Sequence, residues 1–285
     1  MITPGALLSL SPSSNNAQEW DQLIMKETSR TPALEHAFRA LSALYWHDKA
    51  PYRSNQNYLS ALTRNITAIG SFHRSFVAAR QQSWVASLVF VMVMVAFQTR
   101  VIAIGPNDNC IFESVVALRC AAHFAQTAAP AFIESQWVER QRSRQNPSDR
   151  RDDPPDSWHS PNIRKLNVFV NGMARSDAWD DTHSQAALML KTWVNLTQGR
   201  PRTWSHIVWW PASISQEFVQ RLQQREPCSL VIVLYWCAFM QYTPSSWFVK
   251  NWIFTLVKDA MNSPGVGEMG LPHSLYHDLP EFGDS

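Results

Sequence analysis

Two apolar runs leave this chain few ways to fold. Trp84–Phe97 reads WVASLVFVMVMVAF and Leu230–Met240 reads LVIVLYWCAFM. Each is apolar on every side, and each is shorter than the roughly 20 residues that span a bilayer. A helix of this kind has no face to give to water, so it has to sit among other helices. The rest of the sequence supplies them. Thr31-Pro32 opens a helix in which Leu34, Phe38, Leu41 and Tyr45 recur at helical spacing. After Lys49-Ala50-Pro51, a second helix places Tyr58, Leu62, Ile66 and Ile69 on one apolar face, and the two form an antiparallel pair. The first apolar run gives a third helix over 83–99. A fourth covers 111–124, and a short one follows over 130–141. Further helices are predicted near 182–197, 213–226, 228–242 and 246–262, the second of them opening on a Ser213-Ile214-Ser215-Gln216 capping pattern. The expected fold is all-α, a single multi-helix domain of about eight or nine helices over 31–262, with no membrane span.

Three stretches fall outside that pattern. Residues 1–30 open with a Ser-, Asn- and Pro-rich segment and read as mostly disordered. Residues 141–163, QRSRQNPSDRRDDPPDSWHSPNI, hold prolines and charges with few apolar side chains and read as a mobile, disordered internal loop. Residues 263–285 read as a tail. The chain as a whole is 45% hydrophobic and only 17% charged, which excludes general disorder. Its formal net charge of +2 excludes a surface built to hold polyanions by global charge. Arg140, Arg142, Arg144, Arg150 and Arg151 make a local basic cluster, but Asp149, Asp152, Asp153 and Asp156 interleave with it.

The residues that carry chemistry form no catalytic motif. Cys110, Cys120, Cys228 and Cys237 have no C-x-x-C spacing, so no zinc or dithiol motif is present. No G-x-S-x-G elbow, phosphate-binding loop or dinucleotide fingerprint occurs. Asp152-Asp153-Pro154-Pro155-Asp156 spells an aspartate-rich magnesium motif, but two prolines interrupt the helix such a motif needs, which leaves a solvated charged loop. Asp180-Asp181 sits at an expected helix N-terminus, where acidic groups oppose the helix dipole. His273 and His277 stand four apart beside Asp278 and Glu281, but Pro272 and Pro280 flank them. No catalytic residue, metal or cofactor is expected.

The aromatic content is the least ordinary feature. Trp204, Trp209, Trp210, Tyr235, Trp236, Phe239, Trp247, Phe248 and Trp252 crowd into one stretch of a chain with 13 tryptophans. One reading is a packed core, since large rings dominate burial. The other makes Trp210, Tyr235, Trp236, Trp247 and Trp252 the wall of an apolar pocket for a hydrophobic small molecule, a sterol, terpenoid or polyketide.

Residues 204–261 resemble the regulatory domain of fungal binuclear zinc-cluster transcription factors of the sterol-uptake-control type. The likeness lies in Trp210-Pro211, then Phe218 and Leu222, then Pro227 with Leu230-Val231-Ile232, then Trp247 and Trp252. HAFRALSALYWHD at 36–48, Tyr58 with Ala61-Leu62, and Val116-Ala117-Leu118-Arg119 look like earlier parts of the same family. A His-Tyr pair common in the family's apolar helix is here Tyr235-Trp236, and a Gly before the final Trp is Asn251, so both positions carry larger side chains. The zinc cluster that reads DNA needs six closely spaced cysteines, and this chain has four scattered ones. The resemblance implies a nuclear transcription regulator or co-regulator of fungal origin, tied to a secondary-metabolite gene cluster. It would act through ligand or protein partners in transcription, without sequence-specific DNA binding of its own. The rival expectation is a helical cyclase or isomerase acting on a terpenoid or polyketide intermediate, its carbocation held against Trp faces.

Overall fold

A computed structural model describes residues 15–49, 54–78, 84–105, 109–133, 161–173, 179–243 and 247–269. Among the described residues the chain is all-α, with eleven α-helices, one 3-10 turn and no strand. They are α1 Asn15–Arg30, α2 Pro32–Lys49, α3 Ser54–Ala78, α4 Trp84–Ile104, α5 Cys110–Ile133, α6 Pro161–Met173, α7 Asp181–Thr197, α8 Trp204–Ser213, α9 Gln216–Gln223, α10 Pro227–Met240 and α11 Val249–Met261, followed by the 3-10 turn Gly267–Met269. Where one domain was expected, the contacts divide the chain into two compact units.

The first unit takes in the described residues up to Val101, those from Ala121 to Ile133, and Trp247–Phe248. Its centre is the antiparallel pair α2 and α3. Helix α2 buries Leu34, Ala37, Leu41 and Leu44, a 3-4-3 repeat that makes one continuous stripe with Phe38 beside it. The inward face of α3 differs from the expected one. Ala61 and Ala68 are fully buried, while Ile66 and Ile69 are exposed and Leu62 is half-buried. Two alanines let the helix backbones approach closely, and the branched residues are turned aside. Phe72 of α3 stacks on Phe90 of α4 with ring centroids 4.0 Å apart.

Helix α4 is long and apolar enough to cross a membrane, the one such helix among the described residues. Its Val89, Val93, Ala96 and Phe97 are buried nonetheless, and near its end Arg100 pairs with Asp48 of α2. A buried guanidinium that finds its carboxylate on a neighbouring helix is core chemistry.

The N-terminal expectation needs correction. Residues 15–30 form α1 in place of a disordered lead. Ile24 is fully buried, Glu27 is nearly so, and the Thr28 hydroxyl donates to the Ile24 carbonyl at 2.7 Å. The expected helix over 130–141 is corrected as well: Pro130 lies inside α5, which continues to Ile133, and 134–141 are outside the described residues. The expected loop 141–163 also lies outside them, except that 161–163 begin α6.

The second unit holds Ile102–Cys120 and the described residues within 144–244 and 249–269. Every side chain of α10 from Cys228 to Met240 is buried, with α6, α7, α9, α11 and the 3-10 turn packed around it. This is the central position that an all-apolar helix demands. Helix α9 begins later than its sequence pattern predicts. Ser215 is the N-cap, and its hydroxyl accepts the Phe218 amide at 3.1 Å. Residues 263–266 are no loose tail. Val266 is fully buried, and Gly265, at φ +82°, lies so close to Pro227 that an added Cβ would stand 3.1 Å from its Cγ. Gly265→Ala is expected to cost about 1–2 kcal/mol, from the left-handed backbone and the contact together. A change of under a few tenths in chemical denaturation would show that the segment is not docked.

Candidate functional site: an aromatic stack and a buried polar network

The aromatic residues singled out in the sequence do not share one site. Trp210, Trp236 and Trp252 come together in the second unit, on α8, α10 and α11. Trp210 stacks on Trp236 with centroids 5.5 Å apart and planes 28° apart. Trp252 meets Trp236 edge-on at 5.9 Å. None of the three exceeds 1% exposure, so no water-sized space adjoins them in this packing. Tyr235, the neighbour of Trp236 on α10, points elsewhere and stacks on Phe169 of α6 at 4.3 Å. Burial pushes its phenol up to about 12. Trp247 belongs to the first unit, where it packs edge-on against Tyr45 at 5.4 Å.

Buried indoles need acceptors, and the stack meets that need unevenly. Trp210 Nε1 donates to the Ala186 carbonyl at 3.1 Å. Trp252 Nε1 donates to Ser114 Oγ at 2.9 Å. Among the described residues, Trp236 Nε1, in the middle, has no acceptor. Helix α8 also ends unusually, since Pro211 lies within it. Arg119 of α5 donates to the Pro211 and Ile214 carbonyls at 2.9 and 2.5 Å, serving the last turn of α8 from a distant helix.

The chain of rings continues through Phe218 to His183, whose centroids are 6.4 Å apart. His183 is buried in the first turn of α7, and both ring nitrogens face carboxylates. Nδ1 is 2.9 Å from Asp180 Oδ1, and Nε2 is 3.1 Å from Glu226 Oε2. Asp180 is the N-cap of α7 and accepts the His183 amide at 3.1 Å. Arg221 of α9 closes the network, 2.5 Å from Asp180 Oδ2 and 2.8 Å from Glu217 Oε1. Burial works to raise the Asp180 carboxyl. The His183 amide and the Arg221 guanidinium outweigh it and hold that carboxyl below the usual range.

Ser229 Oγ lies 3.3 Å from His183 Nε2. Serine, imidazole and Asp180 thus stand in the order used by serine hydrolases. Two observations deny Ser229 that role. Its hydroxyl donates to Glu226 Oε2 at 3.1 Å, so its proton is already committed away from the imidazole. It also has no exposed surface. The network fastens α7, α9 and the start of α10 together, with Ser229 and the His183 ring buried inside it.

Sequence reading found the acidic cap at Asp180 but missed the network around His183. Arg221, Glu226 and Ser229 lie 38 to 46 residues from His183, and no local pattern joins them to it. Among the described residues, no group of three or more His, Cys, Asp or Glu is placed to hold a metal ion. Asp152, Asp153 and Asp156, and His273 and His277, lie outside the described residues.

The thiols give an independent probe of this packing. Cys120 is exposed, while Cys110, Cys228 and Cys237 are buried. Burial, helped by Asp259 and Glu113, pushes Cys110 up to about 11, and burial also raises Cys237 and Cys228. A thiolate-directed reagent is therefore expected to modify one thiol promptly in the native protein and all four after unfolding. Prompt reaction of two or more would show that α10 is not enclosed.

No family model, curated protein or solved structure matches this chain.

Proposed function

We propose that the chain is the helical regulatory part of a fungal transcription regulator or co-regulator, acting in the nucleus through ligand or protein contacts and without a zinc-cluster DNA-binding module of its own. The observation that carries this reading is the Trp210–Trp236–Trp252 stack. Of the residues on which the family resemblance rests, Trp210, Phe218, Leu222, Leu230, Ile232 and Trp252 are buried in the second unit, while Trp247 is half-buried in the first. Side chains spent on packing suit a domain whose work is to hold one conformation and exchange it for another. The stack has no adjoining space in this packing, so a sterol, terpenoid or polyketide reaches it only by parting α8 or α11 from α10. Such a ligand acts by stabilising that second packing, a shift of populations. A secondary-metabolite gene cluster is the setting proposed for it.

The test is functional. Fused to a heterologous DNA-binding module, the full chain is expected to change reporter transcription. Reporter output equal to that of the DNA-binding module alone would overturn the reading. In a gel-shift assay at physiological salt, the chain by itself is expected to give no site-specific retardation, because +2 net charge and scattered cysteines offer no reading head.

A further inference from the structure

One donor at the centre of the second unit is left over by the fold. Trp236 of α10 is fully buried, and its Nε1 has no acceptor among the described residues. The rings on either side of it are served differently. A backbone carbonyl of α7 takes the Trp210 N–H, and Ser114 of α5 takes that of Trp252. Buried polar groups are almost always paired, because an unpaired one forfeits its bonds to water and gains none in return. Helix α8, whose Trp210 stacks on Trp236, is also weakly closed on itself. Pro211 has no N–H, so the Ile207 carbonyl four residues before it loses its helical partner. The carbonyls of Pro211 and Ile214 are held by the Arg119 side chain instead.

We propose that Trp236 Nε1 is the specificity-determining donor for a hydrophobic ketone, whose carbonyl oxygen takes the indole N–H when α8 parts from α10. The inference rests on the ligand-driven repacking proposed above and adds the chemistry of the ligand. A hydrocarbon suits the rings but leaves the N–H unpaired. A hydroxyl accepts the N–H but brings a hydrogen that needs an acceptor of its own. The Ala186 carbonyl and the Ser114 hydroxyl, the polar acceptors beside the stack, already receive the other two indoles. A ketone oxygen accepts and has nothing to donate, so it satisfies the site without creating a new unpaired group. The donor is buried and unpaired before the ligand arrives, so the protein gives up no hydrogen bond to water in making this one. The bond is therefore worth about tenfold in affinity. Because α8 has to move for the carbonyl to arrive, the same event reaches the turn that Arg119 holds.

The experiment is equilibrium dialysis of the full chain against matched sets that share one skeleton: androstane, androstanol and androstanone; camphane, borneol and camphor; fluorene, fluorenol and fluorenone. Each is measured with the parent, Trp236→Phe and Trp252→Phe. In the skeleton that binds, Trp236→Phe is expected to weaken the ketone about tenfold relative to the hydrocarbon. Comparing parent and variant within one skeleton cancels the differing cost of taking each probe out of water. Trp252→Phe removes an indole whose N–H is already given to Ser114, so it is expected to change all three members alike. A Trp236→Phe variant that weakens ketone and hydrocarbon by the same factor overturns the inference while leaving ligand control of the domain standing. An alcohol weakened as much as the ketone overturns the choice of a carbonyl. If no member of any set binds the parent, this inference and the ligand reading beneath it both fall.

Discussion

Trp236→Ala is expected to remove about 3–5 kcal/mol of folding stability, the range for emptying a buried aromatic site. The upper end applies. Trp236 has no exposed surface and sits between Trp210 and Trp252, so its loss removes two ring contacts of about 0.5–1.5 kcal/mol each as well as its own burial. Against a typical total of about 5–15 kcal/mol, the variant would be marginal. The orphaned indole sharpens the comparison with its neighbour. Trp236→Phe deletes an N–H that has no acceptor among the described residues, so its cost is the void alone, about 1–2 kcal/mol. Trp252→Phe opens a similar void and also takes the donor from the buried Ser114 hydroxyl, adding about 1 kcal/mol. Chemical denaturation of the pair is expected to rank Trp252→Phe as the more damaging. Equal costs would mean that the Trp236 N–H has a partner, or that Ser114 does not need one.

What the sequence made legible follows from the range of each interaction. The all-α class was readable because helical periodicity is local, and the central place of α10 because a run apolar all round has nowhere else to go. Helices α6 and α8 were not readable. The first follows a Pro- and charge-rich stretch, and the second contains Pro211, whose consequences are met by Arg119 from a helix 92 residues earlier. On α3 the period was right and the face wrong. Periodicity tells that Leu62, Ile66 and Ile69 share a side, but not that two alanines pack better against α2. The aromatic cluster was visible as composition. Its division into a three-ring stack, a Tyr235–Phe169 pair and a Trp247 in the other unit depends on tertiary placement that no spacing encodes.

The second large effect is expected at His183. Its ring is buried, packs edge-on against Trp179 and Phe218, and stands between Asp180 and Glu226. His183→Ala is expected to cost about 2–4 kcal/mol near neutral pH, from the void and from the polar atoms left facing it. His183→Phe separates the two contributions. It keeps a ring for Trp179 and Phe218 but offers nothing to Asp180, Glu226 or Ser229, so a remaining loss of about 1–3 kcal/mol measures the polar part. A His183→Phe variant as stable as the parent would show that the carboxylates are content with Arg221 and solvent. Acid titration tests the same network from the other side. The folded state holds the Asp180 carboxyl below its ordinary value, so its contribution is present above the unfolded-state pKa and is lost as pH falls through the lower, folded one. The parent's melting temperature is therefore expected to fall more steeply below about pH 4 than that of Asp180→Asn, which has no such proton to gain. Asp180 is nearly half exposed, so the difference in slope will be modest. Parallel acid limbs would mean that Arg221 and the His183 amide hold the neutral carboxyl as well as the charged one.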